Sequence, residues 1–319
     1  MKGFKMVLAI FLIIIGFALL IVGADLLVDG SSNVAKRFHI PEIIIGLTIV
    51  SIGTSMPELF VSTTSSLDGF SDMALGNVIG SNLCNFLLIL GISTIIKPVK
   101  FKKETMFIEI PMCLAITVIF ILLCNTGGKI TRLEAIILLI LFIGFIGYTI
   151  FMAKRESKTA GEEKGEIPKG NILKDILFII LGVIGLKIGG DLAVNNAVKV
   201  ANFFNVSEKI ISLTILAIGT SLPELVTSVT AAIKGNSDIA IGNIIGSNIF
   251  NMLFIIGVAS VIQPITYNFS YNLDLSILLI ATIVLALFPI IPPKNKMSRA
   301  NGIIYFFMYL AYMGILFIN

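Results

Sequence analysis

The apolar positions of this chain fall into ten long runs, broken only by isolated polar residues. In round numbers they cover 6–28, 42–67, 73–96, 105–125, 133–153, 173–195, 207–233, 237–262, 272–291 and 301–318. A helix that crosses the hydrocarbon core of a bilayer needs about 20 mostly apolar residues, and the runs are of that order. The pattern predicts an all-α membrane protein with ten transmembrane helices. The one long polar stretch begins at Lys154 and carries charge, Gly and Pro without apolar periodicity. It is expected to be an exposed linker over 154–172, between a first five-helix unit (1–153) and a second (173–319).

Composition agrees with the bilayer. The 319 residues are 56% hydrophobic and 13% charged, whereas a soluble globular chain carries about 25% charged residues. No basic tract is interleaved with aromatics, so a nucleic-acid partner is not indicated. Cys84, Cys113 and Cys124 lie inside apolar runs without metal-ligand spacing and read as small core residues. His39 is the single histidine and sits by a short polar turn, where it is expected at the surface. The run Met6–Val28 is longer than the roughly 7–15-residue core of a signal peptide and has no small-residue cleavage site after it. It is expected to remain as the first span.

The net charge of +4 matters less than its placement. If the linker is cytoplasmic, its own lysines share that side with Lys36, Arg37, Lys97, Lys100, Lys102, Lys103, Lys234, Lys294, Lys296 and Arg299. Only Lys2, Lys5, Lys129, Arg132, Lys199 and Lys209 fall opposite. Basic residues gather on the cytoplasmic side of membrane proteins. A multi-pass protein of the cell membrane with both termini outside is therefore expected.

The two units are related. Displaced by 166 positions, Gly53-Thr54-Ser55-Met56-Pro57-Glu58 falls on Gly219-Thr220-Ser221-Leu222-Pro223-Glu224. The same displacement brings Gly76-Asn77-Val78-Ile79-Gly80-Ser81-Asn82 onto Gly242-Asn243-Ile244-Ile245-Gly246-Ser247-Asn248. Asp25 falls on Asp191 and Asn85 on Asn251, with no gap from Gly23 to Pro98. Chance matching of apolar segments would not bring Gly, Ser, Asn, Pro and Glu into register. Because each unit has five runs, an odd number, the second enters the membrane from the opposite side. Two inverted five-helix repeats are the architecture of secondary transporters, with a site at their interface.

Glu58 and Glu224 stand in the middle of apolar runs, where an acid is a functional candidate by default. The alternative is a structural acid, paired with a base or protonated. Lys187 is the one base inside a run, and it lies four residues before Asp191, in position to pair with it along a helix. Both glutamates are then left without a counter-ion. Pro57 and Pro223 remove a backbone donor and should break their helices, and freed carbonyls survive at this depth only in protein or against a polar cavity. Carboxylate, carbonyl and hydroxyl are the hard oxygen ligands of calcium, which takes about 6–8 of them, and of sodium. No thiolate or imidazole set is present for zinc or copper.

Ser81 and Asn85, like Ser247 and Asn251, are four residues apart and share a helix face, so each pair can offer oxygens to a cation. Asn82 and Asn248 fit packing or ligation equally. Gly76, Gly80, Gly242 and Gly246 have the spacing that lets helices pack closely. Asp25 and Asp191 are expected near helix ends, by an ion passage or at an interface. Glu109 and Glu134 are expected to be wet, near span ends.

The paired GTS-x-PE and GN-x-x-GSN motifs, ten runs and a central linker resemble the calcium/cation antiporter superfamily, the sodium/calcium exchangers in particular. The resemblance covers essentially the whole chain and both halves. It implies a calcium and sodium antiporter, not an enzyme, with no cofactor, working as a monomer in the lipid bilayer. It implies ligands from the second helix (Ser51, Thr54, Ser55, Glu58) and the seventh (the Ala217 carbonyl, Thr220, Ser221, Glu224). The third would add Ser81 and Asn85, and the eighth Ser247 and Asn251. It further implies that the glutamates are the main calcium ligands, that sodium sites overlap them, and that the first and sixth helices slide to switch access. The chain departs from the prokaryotic pattern at Asn251, where an aspartate is usual, so its pocket has two acids rather than three. Coupling to protons, potassium or lithium, as in relatives, is the alternative to sodium. A cation channel is a further one, although a channel usually completes its ring of ligands by oligomer symmetry. No serine–histidine or metal–histidine constellation supports an intramembrane enzyme. The short linker has no room for the regulatory calcium-binding domains of animal exchangers.

Overall fold

A computed structural model of the chain describes residues 2–160, 171–204, 217–291 and 294–318. It is almost wholly helical. In the first half, α1 (Lys2–Phe38) ends at His39, whose φ of 54° turns the chain. Then α2 (Glu42–Thr54) and α3 (Met56–Leu67) form one apolar span bent by 50°. α4 (Ser71–Ile96), α5 (Thr105–Asn125) and α6 (Arg132–Ala160) follow. The second half contains α7 (Ile172–Phe203), α8 (Ala217–Thr220), α9 (Leu222–Lys234), α10 (Ser237–Ile262), α11 (Asn272–Leu287) and α12 (Arg299–Ile318). Among the described residues, seven helices are long and apolar enough to cross a membrane, and the bent α2–α3 pair makes an eighth. The α8–α9 pair and α12 lie in the seventh and tenth apolar runs, and residues 205–216 are outside the described ones.

The first helix of each half outruns its apolar stretch. α1 was expected to stop near Val28 and α7 near residue 195, yet they continue to Phe38 and Phe203. Asp25 and Asp191 therefore lie in helix interiors rather than near helix ends. Hydropathy did not set the end of α1; its polar partners did. Arg37 donates from Nε (3.2 Å) and Nη2 (2.9 Å) to Asp175 Oδ2 on α7, and Asn33 Nδ2 donates to Asp175 Oδ1 at 3.1 Å.

α1 and α7 run antiparallel with their backbones touching. A Cβ on Gly23 would stand 2.9 Å from the Gly182 carbonyl oxygen and 2.8 Å from the Leu186 nitrogen, so only glycine fits there. α4 and α10 form the enclosed centre. Of their apolar windows 78% and 83% are buried, against 22% for α1. Around them Phe86, Phe120 and Tyr305 are fully buried, and Tyr305 donates from its hydroxyl to the Ala281 carbonyl at 2.6 Å. The outer belt is apolar, with Phe107, Ile143, Phe151 and Phe307 exposed. Soluble monomers rarely present such a continuous surface.

Short antiparallel ribbons clip the halves together. β1 (Val99–Lys100) pairs with β4 (Lys296–Met297), and β2 (Lys129–Ile130) with β3 (Ile265–Thr266), so each ribbon takes one strand from each half. The starts of α6 and α12 are capped alike. Thr131 N donates to Glu134 Oε2 (2.7 Å) and Ser298 N to Asn301 Oδ1 (2.8 Å), with the hydroxyls accepting in return. Glu134, expected to be merely wet, is thus a capping residue.

Replacing Gly23 by Leu should force α1 and α7 apart and cost about 1–3 kcal/mol, the usual range for overpacking. Gly144→Ala on α6, where nothing lies within 4 Å of a new Cβ, should leave stability unchanged or slightly raised. Thermal unfolding of the two purified variants in one detergent checks the contrast.

Candidate functional site

Both helix breaks fall on serine, and each leads into a proline. Ser55 has φ −85° and ψ 11°, and Ser221 has φ −87° and ψ 6°. Pro57 and Pro223 have no N–H to offer the carbonyls of Gly53 and Gly219 four residues back, so the helical ladder is interrupted at these points. Each helix restarts immediately. Glu58 and Glu224 fall in the first turns of α3 and α9, where unpaired backbone N–H groups and the helix dipole favour a negative charge. That location makes an acid tolerable at a depth where, among the described residues, no basic side chain pairs with it.

The two halves complete each other. Ser55 donates to Glu224 Oε1 at 2.8 Å and stands 3.0 Å from Ser247 Oγ. Reciprocally, Ser221 donates to Glu58 Oε1 at 3.4 Å, as does Ser81 at 3.4 Å. One shell further out, Thr54 donates to Asn243 Oδ1 (3.0 Å) and Thr220 to Asn77 Oδ1 (3.4 Å). Asn243 and Asn77 then donate to Ser228 and Ser62, both at 2.9 Å. The serine–glutamate, threonine–asparagine and asparagine–serine bonds recur at a displacement of 166 positions, whereas the Ser55–Ser247 and Ser81–Glu58 contacts are made on one side only.

What remains is an excess of acceptors. Glu58 and Glu224 are each 1% exposed, and Oε2 of both has no partner. Oδ1 of Asn85 and Oδ1 of Asn251, also 1% exposed, are unpaired as well. Buried polar atoms are ordinarily satisfied. Four orphaned oxygens, a carboxylate and an amide from each half, are the acceptor set a cation would satisfy. Among the described residues no group of three or more His, Cys, Asp or Glu could hold a metal, so the other ligands on offer are neutral oxygens.

Of the residues singled out in the sequence, Thr54, Ser55, Glu58, Ser81, Thr220, Ser221, Glu224 and Ser247 are joined by these bonds. Asn251 is held in place, because its Nδ2 donates to Asn82 Oδ1 at 2.9 Å. Asn82 thus serves as an anchor for a neighbouring amide. Asn85 and Asn251 each stand on a π-helical turn, Cys84–Leu90 and Asn251–Ile255, a device that locally re-aims side chains. Ser51 is not brought to the acids. Its hydroxyl donates back to the Leu47 carbonyl at 2.9 Å and lies against α10. Ala217 begins α8, and only its backbone is described. Asn77 and Asn243 were missed as site residues. Their recurrence beside the glycines was the available signal.

Two other expectations are corrected. Close packing holds for Gly242 and Gly246, where a Cβ would meet the Ile43 and Leu47 carbonyl oxygens at 2.6 Å. It fails for their counterparts, since Gly80 has nothing within 4 Å and Gly76 faces only the Tyr271 ring. The reason is a cavity of about 580 Å³, bordered by Pro57, Gly80, Ser81, Asp191, Asp274 and Tyr312, which reaches the site on that side. Glu109 is not wet but 1% exposed. It closes a π-helical turn, Thr105–Glu109, and faces α6, where Tyr148 donates to its Oε1 at 3.4 Å. The expected pair of Lys187 and Asp191 is present at 2.9 Å.

The sodium/calcium exchanger protein family model matches residues 8–151 and 174–318. The inner membrane protein YrbG of Escherichia coli (strain K12) is 36% identical over 88% of this chain and 89% of its own length. The putative antiporter CaxA of Alkalimonas amylolytica is 35% identical over 98% and 99%. The sodium/calcium exchanger MaX1 of Methanosarcina acetivorans is 28% identical over 96% and 97%. A solved structure of the sodium-calcium exchanger NCX_Mj, soaked with 10 mM Na+ and zero Ca2+, superposes with a TM-score of 0.84 and 31% identity, covering 97% of this chain and 99% of that one. On the match of both halves to the family and of the whole fold to a solved exchanger, this chain is a membrane protein of the sodium/calcium exchanger family.

Proposed function

We propose that the chain exchanges calcium for sodium by alternating access, with Glu58 and Glu224 as the principal ligands. The observation that carries the reading is the pair of buried carboxylates whose outer oxygens have no partner, each hydrogen-bonded through its other oxygen to a serine of the opposite half. Two carboxylates balance one calcium ion, and the same oxygens suit sodium, so the two ions compete for one site. Antiport needs that competition. Thr54, Ser55, Thr220, Ser221, Ser81, Ser247, Asn85 and Asn251 contribute neutral oxygens. The Ala217 carbonyl is the outermost member of the set, and Ser51, whose hydroxyl is turned back to the Leu47 carbonyl, is left out of it.

The architecture in this reading is ten spans in two inverted units, 1–153 and 173–319, joined by a cytoplasmic linker at 154–172. Support comes from the antiparallel contact of α1 with α7 and from reciprocal bonds at a constant displacement. One chain completes the site, which supports a working monomer. With the linker inside, the cavity borders Met73 and Tyr271, at the starts of α4 and α11 on the extracellular side, so the molecule is open outward.

A second reading keeps the fold and changes the counter-ion to protons or potassium. It is favoured by Asn251, which leaves the pocket without a third acid. The deciding experiment is calcium-45 uptake into proteoliposomes preloaded with sodium, with potassium and a proton gradient as parallel arms. Uptake that requires internal sodium is expected; uptake driven only by another arm would sink sodium coupling, and leakage without any trans cation would indicate a channel. Glu58→Gln and Glu224→Gln should each abolish uptake while eluting as wild type in size-exclusion chromatography. Retained uptake by both would remove the site. Asn251→Asp, which adds a charge beside Asn82, should shift the sodium dependence of uptake more than calcium binding. Identical sodium titrations of variant and wild type would refute a role for this position in coupling.

A further inference from the structure

The cavity contains an acid–tyrosine pair with no part in the site described above. Asp274, on α11, is half-buried at its wall, and Tyr312 on α12 donates to its Oδ1 at 2.8 Å. The first half holds a similar pair, Glu109 on α5 and Tyr148 on α6, at 3.4 Å. The acids occupy matching places. They are 165 positions apart, as are the buried pairs Ile110 and Leu275, Cys113 and Leu278, Thr117 and Thr282, and Phe120 and Leu285. Thr117 and Thr282 even donate alike to the carbonyls four residues back, at 2.9 and 2.8 Å. The tyrosines match less strictly, since Tyr148 is one turn beyond Phe145, the α6 residue that corresponds to Tyr312.

The environments differ as the two sides of the site differ. On the open side, Asp274 and Asp191 line the cavity. On the closed side, Asp25 is the counterpart of Asp191, and Lys234 holds it and Asp29, at 2.6 Å each. There Glu109 is 1% exposed, with Oε2 unpartnered and no hydrogen-bond partner for the neighbouring Thr105 hydroxyl, also 1% exposed. A buried carboxylate oxygen without a partner is costly to maintain. Its matched residue, Asp274, faces the cavity that leads toward the glutamates.

Resting on the antiport reading, we propose that Glu109 and Asp274 are matched entry stations for the transported cation, each uncovered in only one access state. In the state described, Asp274 concentrates cations at the open mouth. In the opposite state Glu109 does so on the linker-bearing face, while Asp274 is buried. A carboxylate in a low-dielectric mouth raises local cation concentration and entry rate without entering the final coordination shell. Each acid therefore acts on apparent affinity from one face alone.

The test is sodium-driven calcium-45 uptake into right-side-out and inside-out membrane vesicles, with the linker-bearing face identified by a protease site placed in the linker. Glu109→Gln should raise the KM for calcium by about threefold to tenfold from the linker face and leave the other face and kcat near wild type. Glu109→Asp, which keeps the charge, should restore it. Asp274→Asn should give the opposite sidedness, and it probes the idea independently if Glu109→Gln does not fold. Equal KM changes at both faces, no change at either, or a Glu109→Asp as impaired as Glu109→Gln would overturn the proposal. Absence of exchange in the wild type would instead defeat the antiport reading on which it rests.

Discussion

The rest of the molecule depends on two carboxylates, Glu58 and Glu224, buried together with no basic partner among the described residues. Removing an ionised acid from water costs several kcal/mol even after relaxation, and the fold offsets part of that cost in three ways. Broken helices present fresh N-termini to each acid. Serines from the opposite half donate to one oxygen of each. An outer ring of threonine and asparagine holds the broken backbone in register. The second oxygen of each acid is left unsatisfied.

The same sequence motif is packed in two different ways. Around Gly242 and Gly246 the backbones of α10 and α2 touch, whereas around Gly76 and Gly80 the matching surfaces have separated to form the cavity. Charges follow the same division. Lys234 bridges from α9 to α1 on the closed side, while among the described residues Asp191 on the open side is paired with Lys187 of its own helix. Similar halves in unlike environments are the structural requirement for a two-state carrier, because exchanging the environments regenerates the molecule with the opposite side open. Glycines bring the backbones of α1 and α7 into contact, and Arg37 and Asn33 bind Asp175 across that contact.

Hydropathy and register were legible without coordinates. An apolar run of about 20 residues has one stable form in lipid, so a multi-span helical protein could be read directly, and the 166-residue displacement pairs the breaks at Ser55 and Ser221 and the acids Glu58 and Glu224, which the structure joins by reciprocal bonds. The break at Pro57 followed from a missing donor, and the Lys187–Asp191 pair from helical spacing. These are local or periodic properties, fixed by the chain regardless of its neighbours. The ends of α1 and α7, the anchoring of Asn251 by Asn82, the back-bonded Ser51 hydroxyl and the burial of Glu109 were not legible. Each depends on a partner far along the chain: Asp175 for Arg37, α10 for Ser51, Tyr148 for Glu109.

The division between sequence and tertiary structure is therefore physical. The sequence by itself determined that acids and hydroxyls would meet in lipid at two related helix breaks, because the cost of a polar group in hydrocarbon and the missing N–H of proline act at the residue that carries them. Only the tertiary structure decided which oxygens remain unpaired and which side of the site is open. Hydrogen-bond satisfaction and cavity shape are properties of several helices packed together, and two copies of one motif can be packed differently without any change in their residues.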